Sequence, residues 1–188
     1  MWCRTHCAGY CTKLDAAMWG CGGLYATLIP QSRRFPNFRE LYRGINMVKV
    51  LFLCHGNICR SPMAEYVLKD LAKKAGVQDR FEIASAAVSR EELGNPVYPP
   101  ARRELAKHGI ACDGHRAHQI TKAEYEYYDR IYYMDASNLH YLRRMLPDVK
   151  KCRPLCDHDV ADPWYTGDFS QTWEDVLGGC MKILEEFR

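Results

Sequence analysis

The sequence predicts an α/β protein with a parallel sheet covered by helices on both faces. Three observations carry that expectation. From residue 47 onward, short apolar runs alternate with segments of helical periodicity. The first run, Val48 to Leu53, is apolar but for Lys49, the composition of a strand buried on both sides. A tight glycine-bearing loop and then a helix follow that run directly.

The elements read in order as follows. After the first strand come Gly56 and Asn57, residues that tolerate left-handed backbone angles. Ser61 suits a helix cap and Pro62 a first helical turn. Ala64, Val67, Leu68, Leu71, Ala72 and Ala75 recur at helical spacing, and Gly76 is the expected stop. Phe81 to Ala86 reads as a second strand, and residues 89–100 form a loop rich in turn residues. Ala101 to His108 reads as a helix ending at Gly109. Thr121 with Glu124 resembles a capping box that opens a short helix through Tyr127. Arg130 to Met134 reads as a strand, Ser137 to Met145 as a helix, and Val149 to Arg153 as a last short strand. Residues 156–170 look irregular and acidic. Trp173, Val176, Leu177, Cys180, Leu184 and Phe187 trace one face of a closing helix.

The stretch Cys54 to Arg60 has the make-up of a phosphate cradle. A loop of inward-turned amides that feeds a helix N-terminus concentrates positive potential at one point. Arg60 can grip two phosphate oxygens at once. Helix N-termini and cationic neighbours favour the thiolate form of a cysteine such as Cys54, and the Ser61 hydroxyl is within sequence reach of its sulfur. Together these residues suit an activated nucleophile beneath a bound oxyanion. A bare Cys-x5-Arg match also fits a small buried thiol at a strand end, because the chain holds ten cysteines.

The wider context decides between the two. The loop Cys-His-Gly-Asn-Ile-Cys-Arg-Ser-Pro, set between strand and helix and followed by Met-Ala-Glu, resembles the signature of the low-molecular-weight protein tyrosine phosphatases. The resemblance covers Met47 to Arg188. It implies a doubly wound, four-stranded parallel sheet with the phosphate-binding loop after strand 1. It implies hydrolysis of protein phosphotyrosine and small aryl phosphates through a cysteinyl-phosphate intermediate, with no cofactor or metal. Cys54 is then the nucleophile, Arg60 the phosphate clamp, and Cys54, His55, Gly56, Asn57, Ile58, Cys59 and Arg60 the phosphate-binding loop. Asp162, in Asp-Pro-Trp-Tyr, reads from spacing alone equally as a turn aspartate; the resemblance makes it the general acid and base. Trp164 and Tyr165 then wall the substrate pocket. Ser61, Asn57, Ser85 and His108 match positions that support the loop. Cys59 matches a cysteine that pairs with an oxidised nucleophile. Two positions depart from the pattern. Glu91 and Glu92 stand where some relatives carry an aromatic residue at the pocket mouth, and His118 stands where arginine is common.

Composition limits the alternatives. The chain has 188 residues, 47% hydrophobic and 26% charged, enough for one domain with a core. Its net charge of +3 is uneven: residues 1–46 carry six basic and two acidic residues, the remainder 20 and 21. The body therefore has no basic excess for nucleic acid, and no apolar stretch is long enough for membrane insertion. Residues 1–46 read as a poorly ordered extension, with Met47 a candidate start of translation and residues 38–43 one or two helical turns. The spacing of Cys3, His6, Cys7 and Cys11 fits no strong zinc pattern. A cysteine in a phosphate loop argues for thiol chemistry in a reducing, cytoplasmic compartment.

Three rival readings share parts of this pattern. Protein-arginine phosphatases resemble the loop but carry a smaller hydroxyl residue at the Ile58 position. Arsenate reductases relay electrons through later cysteines, and none lies between Cys112 and Cys152. A non-catalytic phosphate-binding module would tolerate loss of Cys54 or Asp162, and both are present. The expected partners are phosphotyrosine-bearing proteins, a tyrosine kinase among the candidates.

Overall fold

The structure, a computed structural model, describes residues 47–187. The expectations for the N-terminal extension, its cysteine cluster and the helical turns at 38–43 lie outside the described residues.

Four parallel strands form one sheet: β1 (Val48–Cys54), β2 (Phe81–Ala87), β3 (Arg130–Tyr133) and β4 (Cys152–Pro154). Their order is β2-β1-β3-β4, so the chain steps from β1 to one side and then returns to the other. That reversal opens a crevice at the carboxyl end of β1, where Cys54 stands. Among the described residues six α-helices flank the strands, four between them and two after β4: α1 (Arg60–Lys74), α2 (Pro99–Lys107), α3 (Lys122–Tyr127), α4 (Ala136–Met145), α5 (Pro163–Thr166) and α6 (Phe169–Glu186).

β1 is apolar because it has no wet face. Val50, Leu51, Phe52 and Leu53 are fully buried. Val50, Phe52 and Cys54 point into one core with Met63, Leu68 and Leu105 of α1 and α2, and with Trp173, Val176 and Cys180 of α6. Leu51 and Leu53 point the other way, onto Tyr125, Tyr128, Leu142 and Leu146. Each such fully buried side chain contributes about 1.5–3 kcal/mol, which outweighs the weak strand preference of leucine.

The element ends follow the local chemistry. α1 stops before Gly76, at φ +70°, and α2 stops before Gly109, at φ +75°. α2 begins two residues earlier than its apolar pattern, at Pro99, because proline is preorganised for a first turn. The Thr121–Glu124 capping box forms in full. The last strand is Cys152–Pro154 rather than 149–153. Its register is fixed by pairing with β3 and not by any alternation of its own. The acidic segment at 156–170 holds the short helix α5, and α6 starts at Phe169 with Asp168 as its cap. Ser61 does not cap α1. The helix starts one residue before it, with Cys59 at the N-cap and no side-chain cap bond.

Adjacent glycines in α6 give a direct test of packing. A Cβ at Gly179 would meet Leu155 Cγ at 2.6 Å and the Leu155 carbonyl at 3.0 Å, whereas Gly178 faces open space. Overpacking costs roughly 1–3 kcal/mol, and alanine gains ~1 kcal/mol over glycine within a helix. Gly179→Ala should therefore lower the urea midpoint and Gly178→Ala raise it. Shifts in the same direction would contradict the close approach of α6 to Leu155.

Candidate active site

The loop from Cys54 to Arg60 joins the end of β1 to the start of α1. Its turn depends on Asn57, the sole non-glycine among the described residues with positive φ, at +58°. Asparagine occupies this region at less cost than most residues, and here its side chain is fixed on every polar atom. Asn57 Oδ1 accepts from the His118 amide at 3.3 Å. Asn57 Nδ2 donates to Ser61 Oγ at 3.0 Å and to Ser85 Oγ at 2.9 Å. The Asn57 carbonyl meets His115 Nε2 at 2.8 Å. With Asn57 so held, its amide donates to Cys54 Sγ at 3.3 Å.

The direction of these bonds propagates to the sulfur. Glu65, on α1, accepts from Ser85 Oγ at 2.5 Å and from Lys69 Nζ at 2.5 Å. Ser85 spends its proton on Glu65, so it must accept from Asn57. Ser61 also accepts from Asn57, which leaves its own proton for Cys54 Sγ, 3.0 Å away. The Ala86 carbonyl at 3.4 Å is the weaker alternative. The sulfur thus receives an amide and a hydroxyl.

Arg60 is 3% exposed and is held from two distant loops. Its Nη1 donates to Asp135 Oδ2 at 2.5 Å and to the Val160 carbonyl at 3.3 Å; its Nη2 donates to Asp162 Oδ2 at 2.5 Å. Asp135 caps α4 with its other oxygen, and Asp162 caps α5 by accepting from the Trp164 amide. Burial opposes the guanidinium charge, but Cys54, Asp162 and Asp135 together carry the Arg60 pKa above its ordinary value. Arg60 remains a fixed cation at any working pH.

Cys54, Arg60 and Asp162 line one pocket with His55, Gly56, Ile58, Cys59, Trp164 and Tyr165. Glu91 and Glu92 line it too, Glu91 with its side chain 71% exposed. Cys54 is 3% exposed, and Trp164 and Tyr165 are 57% and 85% exposed, which sets sulfur deep and aromatics outermost. Trp164 leans on Tyr98, ring centroids 5.5 Å apart. Burial pushes the Cys59 thiol well up, and the charges of Cys54 and Asp162 push it further. Among the described residues no group of side chains could hold a metal ion.

His108 does not support the loop. It lies beyond α2, stacked on Trp173 with ring centroids 3.6 Å apart and 3.6 Å from Glu104. His115 takes the part assigned to it. Both sit in the same His-rich segment, and only the fold decides which ring reaches the Asn57 carbonyl. Glu65 and Asp135 were also not singled out by the sequence. His118 contributes through its backbone amide, while its ring meets Glu124 at 2.8 Å. Burial acts against the charge of Glu124, but hydrogen bonds from His118 and Thr121 hold its carboxyl below the ordinary value. An arginine is thus not needed at position 118 to satisfy the capping box.

An α/β fold with a cysteine-bearing phosphate loop at the switch point defines a class of phosphate-binding proteins. The comparisons narrow it. A family model described as low molecular weight phosphotyrosine protein phosphatase matches residues 49–188. The low molecular weight protein-tyrosine-phosphatase YfkJ of Bacillus subtilis is 37% identical over 147 residues, 73% of this chain and 94% of the relative. Its crystal structure matches with a TM-score of 0.72, over 77% of this chain and 96% of that one. The mouse low molecular weight phosphotyrosine protein phosphatase is 40% identical over 149 residues, again 73% and 94%. The crystal structure of SP-PTP from Streptococcus pyogenes matches with a TM-score of 0.71 at 36% identity, over 76% and 94%. The chain belongs to the low molecular weight phosphotyrosine protein phosphatases and is a protein-tyrosine phosphatase. Among the described residues no helix is long and apolar enough to cross a membrane.

The two histidines separate cleanly by experiment. His115→Ala strips a buried carbonyl of its partner, at a cost of about 1–3 kcal/mol, and loosens the loop. It should lower both the denaturation midpoint and kcat. His108→Ala should lower the midpoint and leave kcat within about twofold, since stacking carries its effect. Equal kcat losses in the two variants would contradict the assignment.

Proposed function

We propose that this chain hydrolyses protein phosphotyrosine through a cysteinyl-phosphate intermediate, with Cys54 as nucleophile, Arg60 as phosphate clamp and Asp162 as general acid and base. The observation that carries the reading is the sulfur itself. It is buried under an amide and a hydroxyl, in a pocket that also contains a fixed guanidinium and a carboxyl.

The substrate phosphoryl group enters the loop and takes up Arg60, which loosens the hold of Arg60 on Asp162. Cys54 Sγ forms a bond to phosphorus as the bond to the tyrosine oxygen breaks. Asp162 gives its proton to that oxygen. Water then attacks phosphorus, Asp162 takes the proton, and the sulfur–phosphorus bond breaks to release inorganic phosphate. The Ser61 hydroxyl and Asn57 amide receive the returning thiolate. Trp164 and Tyr165 lie against the tyrosine ring of the substrate, and small aryl phosphates follow the same path. Ile58, 8% exposed at the pocket, offers an apolar surface suited to an aromatic ring and not to the guanidinium of phosphoarginine. The substrates are phosphotyrosine-bearing proteins, a tyrosine kinase among them. Thiolate chemistry suits a reducing, cytoplasmic setting.

Asp162→Ala should cut kcat by roughly 100- to 10,000-fold on phenyl phosphate, whose leaving group needs a proton. It should cut kcat much less on an activated nitrophenyl ester. Equal losses on the two esters would count against the acid role. Phosphotyrosine and phosphoarginine peptides assayed side by side test the Ile58 argument, with phosphotyrosine expected to be cleaved faster.

A further inference from the structure

The pocket mouth carries a charge pattern that the chemistry at its floor does not require. Glu91 and Glu92 both line the catalytic pocket. The stem of Glu92 packs on the phosphate loop, with its Cγ only 3.0 Å from where a Cβ on Gly56 would lie, and its Oε2 accepts from Asn95 Nδ2 at 2.6 Å. Glu91 Oε2 meets His55 Nε2 at 3.1 Å. Among the described residues the second oxygen of each carboxylate takes no hydrogen bond. The neighbouring Arg90 does not line the pocket. Glu92 is also among the charges that push up the Cys59 thiol, so its field reaches the pocket interior. An adjoining cavity shares His55, Arg60, Asp162 and Tyr165 and adds Asp135 and Asp159. Asp135 is spent on Arg60, whereas Asp159 is exposed and among the described residues hydrogen-bonds the Ala136 amide alone, through one oxygen.

A negative mouth is costly for a dianionic substrate unless the substrate brings compensating charge. The Arg60 guanidinium neutralises the phosphoryl group at the floor and is already shared between two carboxylates. The rim therefore favours cations on the polypeptide that flanks the phosphotyrosine, and the exposed faces of Trp164 and Tyr165 accept cations as well. We propose that Glu91 and Glu92, aided by Asp159, are specificity-determining residues that select phosphotyrosine substrates with lysine or arginine beside the phosphotyrosine. The proposal rests on the phosphotyrosine reading of the pocket above.

The test uses the full chain and three probes: nitrophenyl phosphate, a phosphotyrosine peptide flanked by lysine and arginine, and one of equal length flanked by aspartate and glutamate. The expected kcat/KM ratio of basic to acidic peptide is roughly 3- to 10-fold at low salt, the sum of several exposed pairs. That ratio should shrink towards unity at ~0.5 M salt, as screening shortens the reach of the rim charges. In the double variant Glu91→Gln, Glu92→Gln it should fall to within about twofold at low salt. The ratio is the readout, so a general change in rate does not obscure it. A wild-type ratio near or below unity, or a preference that survives the double variant, overturns the proposal. Nitrophenyl phosphate left intact along with both peptides would overturn the catalytic reading itself, and this proposal with it.

Discussion

The left-handed backbone of Asn57 is the constraint on which the site depends. It turns the loop so that an amide faces the Cys54 sulfur, and a residue in that conformation persists only when its surroundings fix it. Five groups do so: the His118 amide, Ser61, Ser85, His115 and, through Ser85, Glu65. They come from three separated stretches of chain, so the loop is correct only when β2, α1 and the 115–118 segment are docked. The strand order supplies that docking. β1 lies between β2 and β3, its two faces are dry, and its carboxyl end opens at the point where the winding reverses.

Arg60 links this loop to the rest of the crevice. Through Asp135 it ties α1 to the start of α4, and through Asp162 to the segment that follows β4. One buried cation thus gathers three connections onto the phosphate site. It also holds the carboxyl proposed as acid close to the sulfur before substrate arrives. In the proposed mechanism the arriving phosphoryl group redistributes the hydrogen bonds of Arg60, so recognition and acid placement are coupled by a single side chain.

Much of this was legible in the sequence where local chemistry decides structure. The apolar run of β1, the glycines ending α1 and α2, and the Thr121–Glu124 box each follow from a few neighbouring residues. The loop motif carries Cys54 and Arg60 in one short stretch, and the two line one pocket. What was not legible depends on distance. The last strand is legible as an element near Val149 to Arg153, but its bounds, Cys152–Pro154, are set by β3 lying beside it. His108 and His115 look alike in sequence, and the stacking of one on Trp173 settles which reaches Asn57. Ser61 has the chemistry of a cap, but α1 begins at Arg60, and the hydroxyl is drawn to the sulfur instead. Glu65 and Asp135 gave no local signal, being a helix residue and a turn residue of ordinary type.

The most direct test of the account follows phosphorus during turnover. The full chain is mixed with a phosphotyrosine peptide, stopped by a rapid denaturing quench, and mapped by peptide mass spectrometry. The account predicts one phosphoryl group on the peptide containing Cys54, bound to sulfur and absent from Cys54→Ser. A phosphoryl group on another residue, or continued turnover by Cys54→Ser, would contradict it.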